Sequence, residues 1–189
     1  MNKNYTTAAI ALIILISFAY FYFQYMVRES VPGENRHRLA NHYLEDGNHD
    51  EALKIFDVLV AAYPDYKQAH LGRALTLLQM ENYEASAASF NRAIELDENF
   101  AAAYANRGIL YDRTGKYERA VADYRKALEL DPGLAEGPGW FWRFLRNIPE
   151  PPPTIPDRIA YIESELKKPE GNRLLSVPEI DEQQRMYKK

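Results

Sequence analysis

Along most of the chain, apolar side chains recur at helical rather than strand spacing. In the middle they come in paired stretches interrupted at Asp46-Gly47-Asn48, at Glu81-Asn82 and at Thr114-Gly115-Lys116, a pattern that predicts three helix–turn–helix units. Gly47 and Gly115 can take the left-handed conformation that closes a helix. Pro64 and Pro132, which have no amide hydrogen to continue a ladder, stop the second helix of their units. The N-terminal stretch reads differently. From Ala8 to Val27 no side chain carries a formal charge, and at ~1.5 Å per residue the run reaches about 30 Å, the thickness of a bilayer's hydrocarbon core. Its first half is aliphatic, whereas Phe18, Tyr20, Phe21, Tyr22, Phe23 and Tyr25 fill the second, as in an interfacial aromatic belt. The pattern predicts an uncleaved transmembrane helix over 8–27 behind a head of residues 1–7, and a single-pass membrane localisation. The competing reading, a secretory signal peptide cleaved after Ser17-Phe18-Ala19, is disfavoured because the apolar run continues well past Ala19. Lys3 lies before the span and Arg28, Arg36 and Arg38 after it, which leaves the side of the following domain open.

Superposed on itself at an offset of 34 residues, the chain aligns three segments without a gap: 33–66, 67–100 and 101–134. Their eighth residues are Ala40, Ala74 and Gly108; their twentieth are Ala52, Ser86 and Ala120; their twenty-fourth are Phe56, Phe90 and Tyr124. Small residues recur where two helices must approach closely, and large ones where the remaining gap must be filled. One such pair cannot bury its apolar face, but three in a stack share a core and leave a concave groove.

Over residues 33–134 this pattern resembles the tetratricopeptide repeat. The third segment carries Tyr104, Gly108, Tyr111, Gly115, Tyr117, Ala120, Tyr124, Ala127 and Pro132 at the family's signature positions. The first departs with Arg36 in place of an aromatic and Leu59 in place of Ala, and the second with Glu81 in place of the inter-helix Gly and Glu98 in place of the closing Pro. The resemblance implies an all-α fold, a helix–turn–helix solenoid of three repeats plus a capping helix, here behind the N-terminal transmembrane helix. It also implies a protein-binding module whose first helices line the groove. The residues at the lining positions are His37, Asn41 and Leu44, then Gln68, Leu71, Leu75 and Leu78, then Ala105, Ile109, Asp112 and Arg113. Leu71, Leu75, Leu78 and Ile109 would form a hydrophobic floor suited to an amphipathic helix or a peptide with aliphatic anchors; the alternative is that the chain's own C-terminal segment already covers them. One subfamily grips the acidic tail of heat-shock chaperones through a clamp of Lys, Asn, Asn, Lys and Arg. The matching positions here hold His37, Asn41, Gly72, Ala102 and Asn106. Only Asn41 agrees, so a chaperone tail is disfavoured as partner.

After the repeats, the aromatic run Trp140 to Arg146 is placed to cap the stack as part of a segment 135–148, with membrane-interface contact as the weaker alternative. Five prolines among residues 149–156 predict an extended linker. Thr154 with Asp157 three positions on reads as a capping box, and Ile155, Ile159, Ile162 and Leu166 form one helical stripe that ends before Pro169. That helix, within a C-terminal segment 157–189, needs a surface to pack on.

Composition narrows the chemistry. The 189 residues, 47% hydrophobic and 26% charged, suit one domain with appendages. A net charge of -4 leaves no cationic excess for a phosphate backbone, so nucleic acid is not expected as a partner. The absence of cysteine excludes disulfides, thiolate metal sites and a Cys nucleophile. His37, His42, His49 and His70 contain no pair at three- or four-residue spacing, so no metal site, cofactor or catalytic constellation is expected and an enzyme is disfavoured. The function expected from sequence is a membrane-tethered interaction scaffold that binds a partner peptide or helix in its groove and recruits or assembles a complex. The alternative is a non-catalytic structural subunit whose groove is filled by its own C-terminal segment.

Overall fold

The computed structural model describes residues 3–28, 33–137 and 152–175. The first helix is α1 (Lys3–Arg28). Three helical hairpins follow: α2 (Glu34–Glu45) with α3 (His49–Ala62), α4 (Lys67–Gln79) with α5 (Tyr83–Leu96), and α6 (Ala101–Arg113) with α7 (Tyr117–Leu130). A 3-10 turn at Pro132–Ala135 and a last helix, α8 (Ile155–Leu166), complete the principal elements, and no strand occurs among the described residues.

One expectation is overturned. Among the described residues no helix is long and apolar enough to cross a membrane. The described side chains of α1, Ile10 and Leu12 to Phe23, are exposed. Tyr20 and Tyr22 add hydroxyls to that stretch. The transmembrane anchor over 8–27 and the single-pass membrane localisation therefore do not stand.

The hairpin turns show how one local structure arises from three different sequences. In each, the third residue past the helix returns its amide to the same carbonyl: Asn48 to Tyr43 at 2.8 Å, Asn82 to Leu77 at 2.9 Å and Lys116 to Tyr111 at 2.7 Å. This six-to-one closure requires a left-handed residue just before the donor. Gly47 (φ 77°) and Gly115 (φ 71°) supply it freely, whereas in the second repeat Glu81 is held at φ 59°. The departure of Glu81 from the glycine pattern has thus left the turn geometry intact and stored strain in it.

Packing within and between hairpins follows the small and large positions. Gly108 lies against the ring of Tyr124, where an added Cβ would stand 2.6 Å from ring carbons. Gly72 lies even closer to the preceding repeat, 2.2 Å from Phe56 by the same measure. Ser86 occupies an alanine position and satisfies its buried hydroxyl by donating to the Ala74 carbonyl at 2.8 Å. Across both repeat boundaries an arginine performs the same task. Arg73 donates to Asp57 behind it and to Ser89 ahead, each at 2.6 Å. Arg107, 34 residues later, donates to Asn91 at 2.7 Å and, through both arms, to Asp123 at 2.7 and 2.8 Å. At the end of the stack the polarity reverses: Arg125 is now the repeat's own residue, and Glu163 of α8 accepts from it. Leu134, Ile155 and Ile162 join the common core there. The aromatic run expected to cap the stack lies outside the described residues; the described covering of the third repeat is the 3-10 turn and α8.

Candidate functional site

The expected groove residues lie on the first helices of the three hairpins. From α2, His37 reaches across to α4. Its Nε2 lies 3.3 Å from the Gln68 carbonyl oxygen, and its Nδ1 lies 3.3 Å from the Asn41 side-chain amide nitrogen. The imidazole sits 5.4 Å from the Tyr66 ring and 5.8 Å from that of Phe56. His37, Asn41 and Gln68 are thereby brought into one polar cluster at the first repeat boundary. A second histidine near this boundary, His70, is held below its usual pKa chiefly by burial, against the opposing effect of the hydrogen bond to the Pro64 carbonyl.

Leu44, Leu71, Leu75, Leu78, Ala105 and Ile109 belong to the common core; Leu75 is only 1% exposed. The apolar residues expected to form the floor are therefore buried in the structure. The chaperone-clamp positions are equally unsuited to gripping a carboxylate. Gly72 is wedged on Phe56, Ala102 is buried, and Asn106 turns inward to donate to the Ala102 carbonyl at 2.7 Å.

Asp112 is the polar centre of the third repeat. It occupies the position filled by Leu44 and Leu78 in the other two. Its side chain is 1% exposed and receives both arms of Arg158 from α8, Nε at 2.6 Å and Nη2 at 2.7 Å, with the Tyr124 hydroxyl donating at 3.3 Å. Arg158, itself 5% exposed, also donates to the Leu175 carbonyl at 3.1 Å. Two charges so deeply withdrawn from water are tolerated because each faces its opposite in bidentate geometry. Arg113, the neighbouring groove residue, stays partly exposed. Arg158 was not singled out as a site residue from sequence. A signal was available in the stripe itself, since Arg158 lies one turn from both Ile155 and Ile162 and therefore on the apolar face of its own helix.

The capping box of α8 is formed as expected. Thr154 N–H donates to Asp157 at 2.9 Å, and Asp157 N–H donates back to Thr154 Oγ1 at 3.4 Å. The hydrogen bonds from the Thr154 hydroxyl and amide hold the Asp157 carboxyl below its usual range. Beyond the helix, residues 174 and 175 fold back over it. Tyr161 donates to the Leu174 carbonyl, and the Leu174 amide donates to Glu165 at 2.9 Å, which with Lys168 lowers the pKa of that carboxyl. Among the described residues no group of three or more His, Asp or Glu side chains is arranged to hold a metal ion.

Two family models, each described as tetratricopeptide repeat, match residues 37–99 and 101–134. Similar solved structures include the crystal structure of MamA, 22% identical with a TM-score of 0.52 over 60% of this chain and 67% of that one. Another is the first TPR of Spaghetti (RPAP3) bound to the HSP90 peptide SRMEEVD, 25% identical with a TM-score of 0.51 over 61% of this chain and 89% of that one. A third is the first TPR domain of human RPAP3, 24% identical with a TM-score of 0.52 over 68% of this chain and 93% of that one. No curated protein matches the chain. With both matched stretches coinciding with the three helical hairpins, the chain belongs to the tetratricopeptide repeat family.

Proposed function

We propose that this protein is a non-catalytic interaction scaffold whose repeat stack receives a helical or extended segment of a partner protein and so helps assemble a complex. The observation that carries the reading is the reception of a helix at Asp112: the third repeat holds α8 by one bidentate ion pair set between two aliphatic anchors, Ile155 and Ile162. The helix lays its apolar face on α7 and on the 3-10 turn at the end of the stack, the physics by which an amphipathic helix is recognised. A similar repeat domain, that of Spaghetti, is bound to an acidic HSP90 peptide. The chemistry here differs, because a buried carboxylate stands among apolar positions and the clamp positions carry neither lysine nor arginine.

Site-specific photo-cross-linking in the native host tests the reading. A cross-linker at Gln68 or Arg113, the accessible edges of the groove, should capture one discrete protein, whereas one at Glu95 or Lys126 on the second helices should not. Equal capture from both sets, or none from the groove, would remove the groove as the binding face. The burial of Leu71, Leu75, Leu78 and Ile109 favours a second reading, a structural subunit whose groove is already filled by its own chain. Purification under mild conditions separates the two, since a scaffold exchanges its partner and a subunit co-elutes at fixed stoichiometry.

A further inference from the structure

We infer that α8 is a resident stand-in for the partner, and that the third repeat selects helices bearing an arginine with isoleucine three residues before it and four after. The inference rests on the scaffold reading above and names the chemistry of its partner. Asp112 breaks a row: the equivalent residues Leu44 and Leu78 are buried and apolar, and the third repeat buries a carboxylate instead. A buried carboxylate without a counter-charge would be strongly unfavourable, so the position makes sense only with a cation supplied to it. That cation arrives on Arg158, 46 residues away, from a helix outside the 34-residue pattern that follows a proline-rich stretch.

The recognition surface is small and specific. Ile155, Arg158 and Ile162 lie along one face of α8 and are buried, while Pro156 and Asp157 near its start and Lys167 at its end remain exposed. Arg158 uses its fork on both carboxylate oxygens, a match that a lysine ammonium cannot reproduce. A buried pair of this kind adds little net stability compared with an apolar contact, but it strongly penalises a ligand that lacks the charge. Such a surface discriminates among helices better than it holds any one of them. Because α8 belongs to the same chain, an outside helix must compete with a tethered copy at high effective concentration. Loosening α8 should therefore switch the site on.

A fluorescent peptide of residues 152–175, titrated into the full-length protein, tests this. Wild type, with its own α8 in place, should bind weakly. The Arg158→Ala protein, which deprives Asp112 of this cation, should bind the wild-type peptide at least about tenfold more tightly and regain thermal stability on binding. An Arg158→Lys peptide should lose most of that gain, and so should the wild-type peptide offered to an Asp112→Asn, Arg158→Ala protein. If Arg158→Ala fails to fold, hydrogen exchange on wild type gives the same answer: excess peptide should accelerate exchange in residues 155–166 alone. No gain in peptide affinity for Arg158→Ala, or unchanged exchange in α8 under excess peptide, would make α8 a permanent cap and overturn the inference. Cross-linking at Gln68 or Arg113 could still succeed in that case, so the scaffold reading stands or falls separately.

Discussion

At the scale of single residues, strain and close approach are the quantities that decide. Gly108 and Gly72 are both needed for want of a Cβ. The clash at Gly72, 2.2 Å from Phe56, is harsher than that at Gly108, 2.6 Å from Tyr124, and both clashes are with rings rather than with the movable end of a flexible side chain. Overpacking of this kind costs about 1–3 kcal/mol, offset by the ~0.5–1 kcal/mol that alanine gains over glycine in a helix. We expect Gly108→Ala to lower stability in urea denaturation and Gly72→Ala to lower it more; equal or raised midpoints would show that the rings yield. Glu81 is the opposite case. At φ 59° it carries a left-handed cost of roughly 1–2 kcal/mol, so Glu81→Gly should be neutral to stabilising by about 1 kcal/mol once glycine's greater chain entropy is subtracted. A destabilised Glu81→Gly would mean that the side chain contributes more than its backbone loses. The position of Gly108 was legible in the sequence because Ala40 and Ala74 share its register. The role of Gly72 was not. Its register partners are Arg38 and Asn106, neither of them small and apolar, and only the particular fit against Phe56 demands glycine there.

At the scale of elements, the hairpins were readable from periodicity, turn residues and prolines, and α8 from its capping box and stripe. What could not be read was which face of the first helices stays open. Leu71, Leu75 and Leu78 project at helical spacing whether they face a partner or the chain's own core, since periodicity records only that a face is apolar. The partner of α8 was hidden for a similar reason: an ion pair spanning 46 residues leaves no local pattern. The attachment of α8 has a pH signature. Asp157 and Glu165 have folded pKa values below their ordinary 3.8 and 4.5, the first through Thr154 and the second through the Leu174 amide and then Lys168. A depressed carboxyl stabilises the folded form above its unfolded pKa, and that contribution fades as pH falls through the folded value. Amide exchange in residues 155–166, corrected for intrinsic rates, should therefore be flat from pH 7 to about 5 and rise relative to α4 below about 4.5. Parallel behaviour of the two helices would mean that these carboxyls do not govern the attachment.

At the scale of the whole molecule, a repeat stack is stabilised by what each unit contributes and by the contacts between neighbours, so its cooperativity depends on the boundaries. The two arginines that span them are not equal. Arg73 meets a half-exposed Asp57 and a serine, whereas Arg107 grips Asp123 with both arms where the two side chains are only 17% and 10% exposed. Burial lowers the Arg107 pKa, and the pair with Asp123 more than offsets it, leaving the guanidinium above its usual value. Arg73→Ala should cost up to about 1 kcal/mol, as for an exposed pair. Arg107→Ala should cost about 1.5–3 kcal/mol, because it leaves Asp123 charged and largely withdrawn from water. Because the lost contacts also join the second repeat to the third through Asn91, calorimetry of Arg107→Ala should show a broadened or divided transition where wild type shows one. A single sharp transition would place the coupling between these repeats in the packing of α5 against α6 and not in the arginine.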